Sequence, residues 1–343
     1  MKFTNWICSL AAALLTCSVV GPAEAADLAM LPENWRTELA KIGVDPPPKE
    51  LAANAHFVRS DESAHWVAYE SLKDLGGVLV GVGTDPNYFI AGWMKADLVL
   101  LVDFDQVVAD VHTLYILALK NAVDADAFVA LWSPKSSAKF TDLIATLPDA
   151  AAKKRTLYAF KLARHPIYDR LLTLRKAYKE HKTPMAFSDP AQYAHIRDLA
   201  LKNRIWAWRG DLTGSVTMMG LQAALKVMGR EVSAFYITNA EAYFDYTPQA
   251  RKNLRDLPYG EKSVILRTQG VPSKVDDTAD GHYRYLVQNG RDFAAWMALK
   301  RTTSAKVLCW VRKATKTQGF YTLTAPPPPP APPVPPAPKK KAK

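Results

Sequence analysis

The feature that most constrains the fold is the stretch between residues 76 and 105, in which two short apolar runs flank a glycine-rich turn. Residues 77–82 read GVLVGV and residues 98–102 read LVLLV, so neither run contains a polar residue and both are shorter than a typical helix. Such runs are typical of parallel strands that are buried on both faces by covering helices. The stretch therefore predicts the first two strands of a parallel α/β sheet, joined by a short helix.

Glycines and an acid stand where these two predicted strands end. The first turn reads Gly81, Val82, Gly83, Thr84, Asp85, and Asp103 closes the second strand. In nucleotide-binding sheets, glycines allow a ligand to approach the backbone, and an acid about 20 residues later accepts hydrogen bonds from ribose hydroxyls. The pattern predicts a Rossmann-like sheet with a cofactor site at this turn, although a glycine-rich strand end is also a common structural turn.

The rest of the chain continues the alternation of strands and helices. We expect a helix capped by Ser60 or Asp61 and running to Leu75. Residues 122–203 have helical patterning without a clear strand, which predicts a helical insertion after the second strand. The fold expected is an α/β, Rossmann-like three-layer α/β/α sandwich. Its other elements are helices at 106–120 and 217–228 and strands at 204–208, 232–238, 262–268, 282–287 and 305–310.

The two ends of the chain differ from the rest. Residues 1–25 combine Lys2, an apolar stretch and the small-residue sequence AEA before Ala26, which is typical of a cleaved signal peptide. We therefore expect an exported protein, periplasmic or secreted. Its mature chain retains Cys309 alone, and therefore no internal disulfide. An N-terminal arm (26–55) would precede the main domain (56–324), and a proline-rich, lysine-tipped and disordered tail (325–343) would follow it.

The formal net charge of the chain is +11, and part of it comes from the tail. Anionic envelope polymers or a membrane surface are plausible partners for such a cationic tip, and a solvated tail without a partner is the alternative. Nucleic acid is not expected as a partner, because export argues against it and no recognition motif occurs. The basic residues of the helical insertion, at 153–170, are interpreted as a solvated helix face.

Polar residues also follow two later strands. Asp211 comes after the strand at 204–208, where it could bind a ligand or, with Thr213, cap the next helix. Asn239, Glu241 and Tyr243 follow the strand at 232–238. Because the carboxyl ends of parallel strands share one edge of the sheet, we expect these side chains near the glycine turn.

Four stretches, at 57–75, 76–106, 203–219 and 232–244, carry a resemblance to a known family. Together they resemble a family of uncharacterised bacterial proteins with a class I methyltransferase-like Rossmann core, over about residues 57–267. The resemblance implies S-adenosylmethionine as the cofactor and leaves the reaction unassigned. The residues it implies for the site are Gly81, Gly83, Asp103 and Asp211 on the cofactor side and Asn239 and Glu241, with Tyr243, on the substrate side.

Two hypotheses remain open from the sequence. The first is an enzyme that binds an adenosine-containing small molecule at the strand ends. The second is a non-catalytic envelope binding or scaffold protein, favoured by the export signal, by Leu79 where such enzymes have an acid and by Asp85 where they have a third glycine. An open crevice beside Asp103 would support the first hypothesis, and a crevice filled by Tyr88, Phe89 or Trp93 would support the second.

Other kinds of site receive little support. No histidine spacing typical of zinc, no Gly-x-Ser-x-Gly elbow and no Walker loop occurs in the sequence. Asp103 and Asp105 form an Asp-x-Asp pair, which could hold a divalent cation through oxygen ligands, but such a pair on its own is common.

Overall fold

A computed structural model of the protein describes residues 28–271 and 277–327. The predicted leader (1–25) and most of the predicted tail lie outside the described residues. The described chain is a mixed α/β fold built on one eight-stranded sheet. Its strands are β1 (Val78–Gly81), β2 (Leu98–Asp103), β3 (Ile205–Arg209), β4 (Val232–Thr238), β5 (Tyr259–Gly270), β6 (Tyr283–Asn289), β7 (Arg312–Ala314) and β8 (Phe320–Leu323).

The strand order is β3-β2-β1-β4-β5-β6-β8-β7. Strands β1 to β5 are parallel, so their carboxyl ends share one edge of the sheet. Strand β6 runs antiparallel to β5, β8 is parallel to β6, and β7 closes the sheet antiparallel to β8. The chain moves outward from β1 through β2 to β3 and then crosses to β4 on the other side of β1. This reversal of direction beside β1 creates a crevice at the carboxyl edge.

Helices cover both faces of the sheet. Alternate strand residues point to opposite faces, so Leu79 packs into one apolar cluster and Val80 into the other. Because both faces are covered, residues 78–81 of β1 and 98–102 of β2 are apolar at every position. The helices are α1 (Glu33–Ala40), α2 (Tyr69–Leu72), α3 (Pro86–Met94), α4 (Gln106–Asn121), α5 (Ala125–Trp132), α6 (Ser137–Ala145), α7 (Ala150–Glu180), α8 (Pro190–Leu201), α9 (Thr217–Val227), α10 (Pro248–Arg255), α11 (Gly290–Ala298) and α12 (Ala305–Cys309).

The helices between β2 and β3 lie on the same face as α3. They run from α4 to α8, and the described chain contains no strand between β2 and β3. Their apolar residues join the cluster that contains Leu79, while α1, α9, α10, α11 and α12 pack on the opposite face with Val80. The longest helix of this group is α7, with 31 residues, and it carries the buried Arg170.

Two expectations about secondary structure were wrong. The helix expected from Ser60 to Leu75 is reduced to a 3₁₀ turn (His65–Ala68) and the short α2, because residues 60–63 hydrogen-bond to distant parts of the chain instead of to a helix. The strand expected at 305–310 is α12, in which the consecutive residues Leu308 and Cys309 are both buried. The edge is formed instead by β7 and β8, which the sequence analysis missed.

Candidate functional site

An open cavity of about 300 Å³ lies at the carboxyl ends of β1, β2, β3 and β4. The turns that follow these strands form its floor and walls, and residues from the segment 52–62 close one side. A volume of this size is at the lower end of the range for small-molecule sites. The cavity occupies the place where the strand order reverses, which is where α/β sheets generally bind ligands.

The turn after β1 is shaped by Gly83. Its φ of +75° is one that residues with a side chain rarely adopt, and a Cβ there would lie 3.2 Å from the Cγ2 atom of Thr238. The Gly83 carbonyl accepts a hydrogen bond from Nε2 of the buried His112, at 2.8 Å. Burial lowers the pKa of His112 to about 4, so this imidazole is neutral and acts as a fixed donor. Gly83 and Thr84 both line the cavity, as predicted for ligand contact.

Asp103 ends β2 and lines the cavity beside Gly83. Its Oδ2 atom accepts a hydrogen bond from the Gly83 amide at 3.2 Å, and its Oδ1 atom accepts one from the Asp105 amide at 3.0 Å. Burial raises the pKa of Asp103 to about 7; the amide of Asp105 opposes this rise and its carboxylate adds to it. The side chain is therefore held rigidly, is partly accessible from the cavity and changes its charge near neutral pH.

Two predicted cofactor residues, Gly81 and Asp85, do not line the cavity. A Cβ at Gly81 would meet Oδ1 of Asn87 at 1.7 Å, so the missing side chain makes room for Asn87 and not for a ligand. Asp85 is buried behind the turn, where its Oδ2 atom lies 2.5 Å from Nε of Arg170 and its Oδ1 atom accepts from the Ser60 amide at 3.0 Å. The expected direct contact of these two residues with a ligand is therefore corrected to a supporting position.

Asn87 is a site-shaping residue that the sequence analysis missed. Its Nδ2 atom donates to the carbonyls of Val82 and Thr84, at 2.9 and 3.1 Å. Because these carbonyls belong to the turn itself, the buried amide fixes the path of the backbone around the cavity. Gly81, two positions before Gly83, was the available signal in the sequence, since a glycine inside a strand marks a place where another group comes close to the backbone.

Asp211 lines the cavity after β3, but it does not cap α9. Its Oδ1 atom accepts hydrogen bonds from the amide and the hydroxyl of Thr213, at 2.7 and 2.8 Å. The amides at the start of α9 are satisfied by Asp45, whose Oδ2 atom accepts from Thr217 at 3.2 Å and whose Oδ1 atom accepts from Val216 at 3.1 Å. The N-terminal arm therefore supplies the cap, and Asp211 faces the cavity.

The segment after β4 places two of its three predicted residues at the cavity. Asn239 lines the wall and donates from Nδ2 to the hydroxyl of Tyr283 at 3.3 Å. Tyr243 is 60% exposed and lies at the rim. Glu241 is buried away from the cavity, where it hydrogen-bonds to Tyr246 and lies 3.3 Å from Nε of Arg267. Its predicted role in facing a substrate is therefore corrected to that of a buried ion-pair partner.

Residues 52–62, which we call the strap, pass along the open side of the cavity and contribute part of its lining. Nδ1 of His56 lies 2.8 Å from Oδ2 of Asp105. Asp61 accepts a hydrogen bond from the hydroxyl of Tyr283 at 2.6 Å, and Glu62 hydrogen-bonds to the hydroxyl of Tyr236 on β4. The strap therefore attaches to both sides of the crevice and contributes two further acidic residues to its lining.

The second member of the Asp-x-Asp pair has a structural partner on each oxygen. Oδ1 of Asp105 caps α4 by accepting from the Val107 amide at 2.9 Å, while its other oxygen contacts His56. Within residues 28–271 and 277–327, no group of three or more His, Cys, Asp or Glu residues is arranged to hold a metal ion. The geometry of the described residues gives no support to a cation bound by this pair.

The aromatic residues that could have filled the crevice lie elsewhere. Tyr88, Phe89 and Trp93 belong to α3 and are buried in the apolar cluster that contains Leu79, and none of them lines the cavity. Tyr88 donates a hydrogen bond to Nδ1 of His112, 3.1 Å away, which keeps its ring under the turn. The crevice beside Asp103 is thus open, which was the arrangement expected of a ligand-binding protein.

Comparison with known proteins places the chain in a family without assigning a function. No helix of the described chain is long and apolar enough to cross a membrane. No curated protein matches the sequence. The model of one family, described as "Domain of unknown function (DUF7790)", matches residues 57–324 and so covers the whole sheet and all of the cavity lining except Ala52 and Ala55. The chain therefore belongs to the DUF7790 family.

Proposed function

We propose that this protein binds an adenosine-containing small molecule in the crevice, with a methyltransferase-like Rossmann fold and with S-adenosylmethionine as the leading candidate. The observation that carries the proposal is the Asp103 carboxylate, held beside the Gly83 amide at an open cavity where the strand order reverses. An acid in this place accepts hydrogen bonds from ribose hydroxyls. Each carboxylate oxygen keeps acceptor capacity beyond the one amide that it already binds.

The order of the first five strands supports the fold part of the proposal. The series β3-β2-β1-β4-β5 is the order of doubly wound, nucleotide-binding sheets. After β5 the sheet departs from a purely parallel arrangement, because β6 is antiparallel. The cavity, however, involves only the ends of β1 to β4, so this departure lies outside the ligand site.

The residues present fit the adenosine part of such a cofactor. Gly83 provides a turn without a side chain, Asp103 provides a ribose acceptor, and Asp211 and Asn239 provide further polar groups at the same edge. Methyltransferases carry an acid on the first strand at the position of Leu79. Here that position is completely buried in the core, and β1 offers no acid in its place. The strap instead brings Asp61 to the cavity, and in this proposal it takes the polar end of the ligand, while the buried Glu62 carboxylate is already bound by Tyr236 and Thr268.

Export belongs to the same proposal. A leader ending before Ala26 would deliver the protein to the periplasm or the medium, and the lysine-tipped tail would contact anionic envelope polymers or a membrane surface. S-adenosylmethionine is a cytoplasmic metabolite, so an exported binding protein would meet it, or another adenosine compound, only where it is released.

The second candidate is an envelope binding or scaffold protein without catalysis. Two positions favour it: Leu79 is a core residue and Asp85 is an ion-pair partner, so neither takes the place that a methyltransferase gives to the corresponding residue. In this case the crevice would accept a different ligand, and the methyltransferase-like fold would be a scaffold.

Calorimetric titration with S-adenosylmethionine and S-adenosylhomocysteine tests the proposal. We compare the chain from Ala26 onward with its Asp103→Asn variant and with Asp74→Asn, which changes an exposed carboxylate paired with Lys95. Loss of charged hydrogen bonds to the ribose predicts binding at least about tenfold weaker in Asp103→Asn and unchanged in the control. If neither compound produces heat or shifts the thermal unfolding of the folded wild type, the proposal is wrong and the second candidate remains.

A further inference from the structure

The chemistry of the cavity wall restricts the ligand beyond what the fold indicates. Four aromatic side chains contribute to the lining, and two of them are largely open to solvent: Phe57 is 45% exposed and Tyr243 is 60% exposed. The other two are Phe104 and Phe244. Exposed aromatic rings at the rim of a cavity offer flat apolar faces to a ligand.

The same wall is strongly acidic. Five acidic residues belong to the lining of the cavity, against a single cationic residue, Arg59, although the carboxylate of Glu62 is buried against Tyr236 and Thr268. Arg59 is exposed at the rim, and its guanidinium contacts the Ser60 carbonyl at 3.4 Å rather than a carboxylate. The acids are Asp61, Glu62, Asp103, Asp105 and Asp211. In a chain whose formal net charge is +11, this concentration of negative charge is opposite in sign to the rest of the protein.

Neutral groups satisfy most of these carboxylates. Asp103 accepts from two amides, Asp61 from the hydroxyl of Tyr283 and Asp211 from Thr213. Hydrogen bonds of this kind orient a carboxylate without cancelling its charge. Among the residues lining the cavity, no lysine balances them. The residues that line the cavity therefore carry a formal net negative charge.

We propose that the ligand carries an organic cation, an ammonium or a sulfonium with apolar substituents, which the aromatic side chains and carboxylates of the cavity recognise together. Aromatic faces attract such cations through the charge distribution of the ring, and the carboxylates add a direct attraction. The inference rests on the proposed function in placing the ligand in this cavity, and it names the charge that this ligand carries. The same wall should weaken the binding of a phosphorylated ligand such as a nucleotide.

The cation could belong to the cofactor or to a second molecule. S-adenosylmethionine carries a sulfonium, and S-adenosylhomocysteine lacks the methyl group on sulfur and with it that charge. An amine that accepts a methyl group would carry an ammonium. The two sources share the chemistry of recognition, and titration with separate probes distinguishes them.

The experiment compares pairs of probes that have similar shapes and differ in charge. Choline is titrated against 3,3-dimethyl-1-butanol, in which a neutral carbon replaces the nitrogen, and S-adenosylmethionine is titrated against S-adenosylhomocysteine. A cation–π contribution and a carboxylate together predict binding of at least one charged probe roughly tenfold tighter than its neutral partner. The preference should decrease as salt is added. Preference in the choline pair assigns the site to an ammonium, and preference in the other pair assigns it to the sulfonium.

Matched variants connect the preference to the wall. Tyr243→Leu and Asp211→Asn should each reduce the preference for the charged probe several-fold. Asp211→Asn retains an oxygen for Thr213, so it is compatible with the fold. Trp310→Leu and Asp74→Asn change an exposed aromatic and an exposed carboxylate outside the cavity, and they should have no effect.

The outcomes separate this inference from the proposed function. If S-adenosylmethionine and S-adenosylhomocysteine bind equally tightly and choline does not bind better than its neutral partner, the inference is wrong and the proposed function stands. If choline binds and neither S-adenosyl compound does, the inference is supported and the proposed function is wrong. Tighter binding of adenosine monophosphate than of adenosine, or no binding of any cationic probe at millimolar concentration, would contradict the inference outright.

Discussion

The carboxyl group of Asp103 should make the stability of the protein depend on pH in a direction unusual for an acid. Burial raises its pKa from 3.8 to about 7 in the folded protein. Below about pH 4 the group is protonated in both the folded and the unfolded state. Between about pH 4 and pH 7 only the folded state keeps the proton, so the free energy of unfolding falls as pH rises. Above about pH 7 the free energy of unfolding no longer changes through this group. The Asp103→Asn variant lacks this titration.

The size of the effect follows from the two pKa values. Linkage gives a loss of at most about 2.6 kcal/mol between pH 5 and pH 8, and roughly half of that once partial exposure of the side chain to the cavity is taken into account. The variant has its own cost, because an amide nitrogen must face one of the two backbone amides of Gly83 and Asp105. That cost does not depend on pH, so it shifts the curve of the variant without changing its slope.

The measurement is urea unfolding of the wild type and of Asp103→Asn at several pH values between about 5 and 8. Other groups titrate in both proteins, so the difference between the two curves isolates Asp103. We expect the wild type to lose about 1 to 2.6 kcal/mol relative to the variant over this range. A difference that stays constant, or that changes in the opposite direction, would refute the assignment of a raised pKa to this group. Ligand affinity should follow the opposite trend, being about tenfold weaker at pH 6 than at pH 8 if the ligand requires the ionised form.

Two further predictions concern the supports of the site. Asp45→Ala removes the cap of α9 and should lower the free energy of unfolding, measured in urea titrations, by about 2 kcal/mol. The control is Asp124→Ala, which removes an exposed cap on α5 and should cost about 1 kcal/mol. Equal losses in the two variants would contradict the buried role of Asp45. Arg170→Met leaves Asp85 charged, buried and without its cation, and should cost about 3 to 5 kcal/mol, much of which the double variant with Asp85→Asn should recover. Failure of the second substitution to restore any stability would argue that packing, and not charge, explains the loss.

The sheet was predictable to the extent that its signals are local. The runs that form β1 and β2 are apolar at every position because helices cover both faces, and the sequence alone reveals this. Asp103 could be placed at the cavity for the same reason, since a residue that follows a buried parallel strand must lie at the carboxyl edge. Strand β4 was predicted with the bounds that the structure gives it.

The remaining site residues were not predictable, because long-range contacts decide what they do. Asp85 follows the glycine turn as a ligand residue would, yet Arg170, 85 residues later, turns it inward. Asp45 caps a helix that begins 172 residues away. Ser60 and Asp61 look like helix caps, but the first donates its amide to Asp85 and the second binds Tyr283. Local pattern cannot distinguish a cap from a residue that reaches across the fold.

The helical insertion is tied to the cavity through one buried guanidinium. Arg170 was interpreted from the sequence as part of a solvated basic face, but it points inward from α7. Its Nε atom binds Asp85 beneath the glycine turn, and its Nη2 atom donates to the Glu62 carbonyl of the strap at 2.7 Å. Because one rigid planar group contacts both segments, it holds them at a fixed separation. The insertion therefore positions the strap beside the turn, and any movement of the strap away from the turn must also move α7 or break this contact.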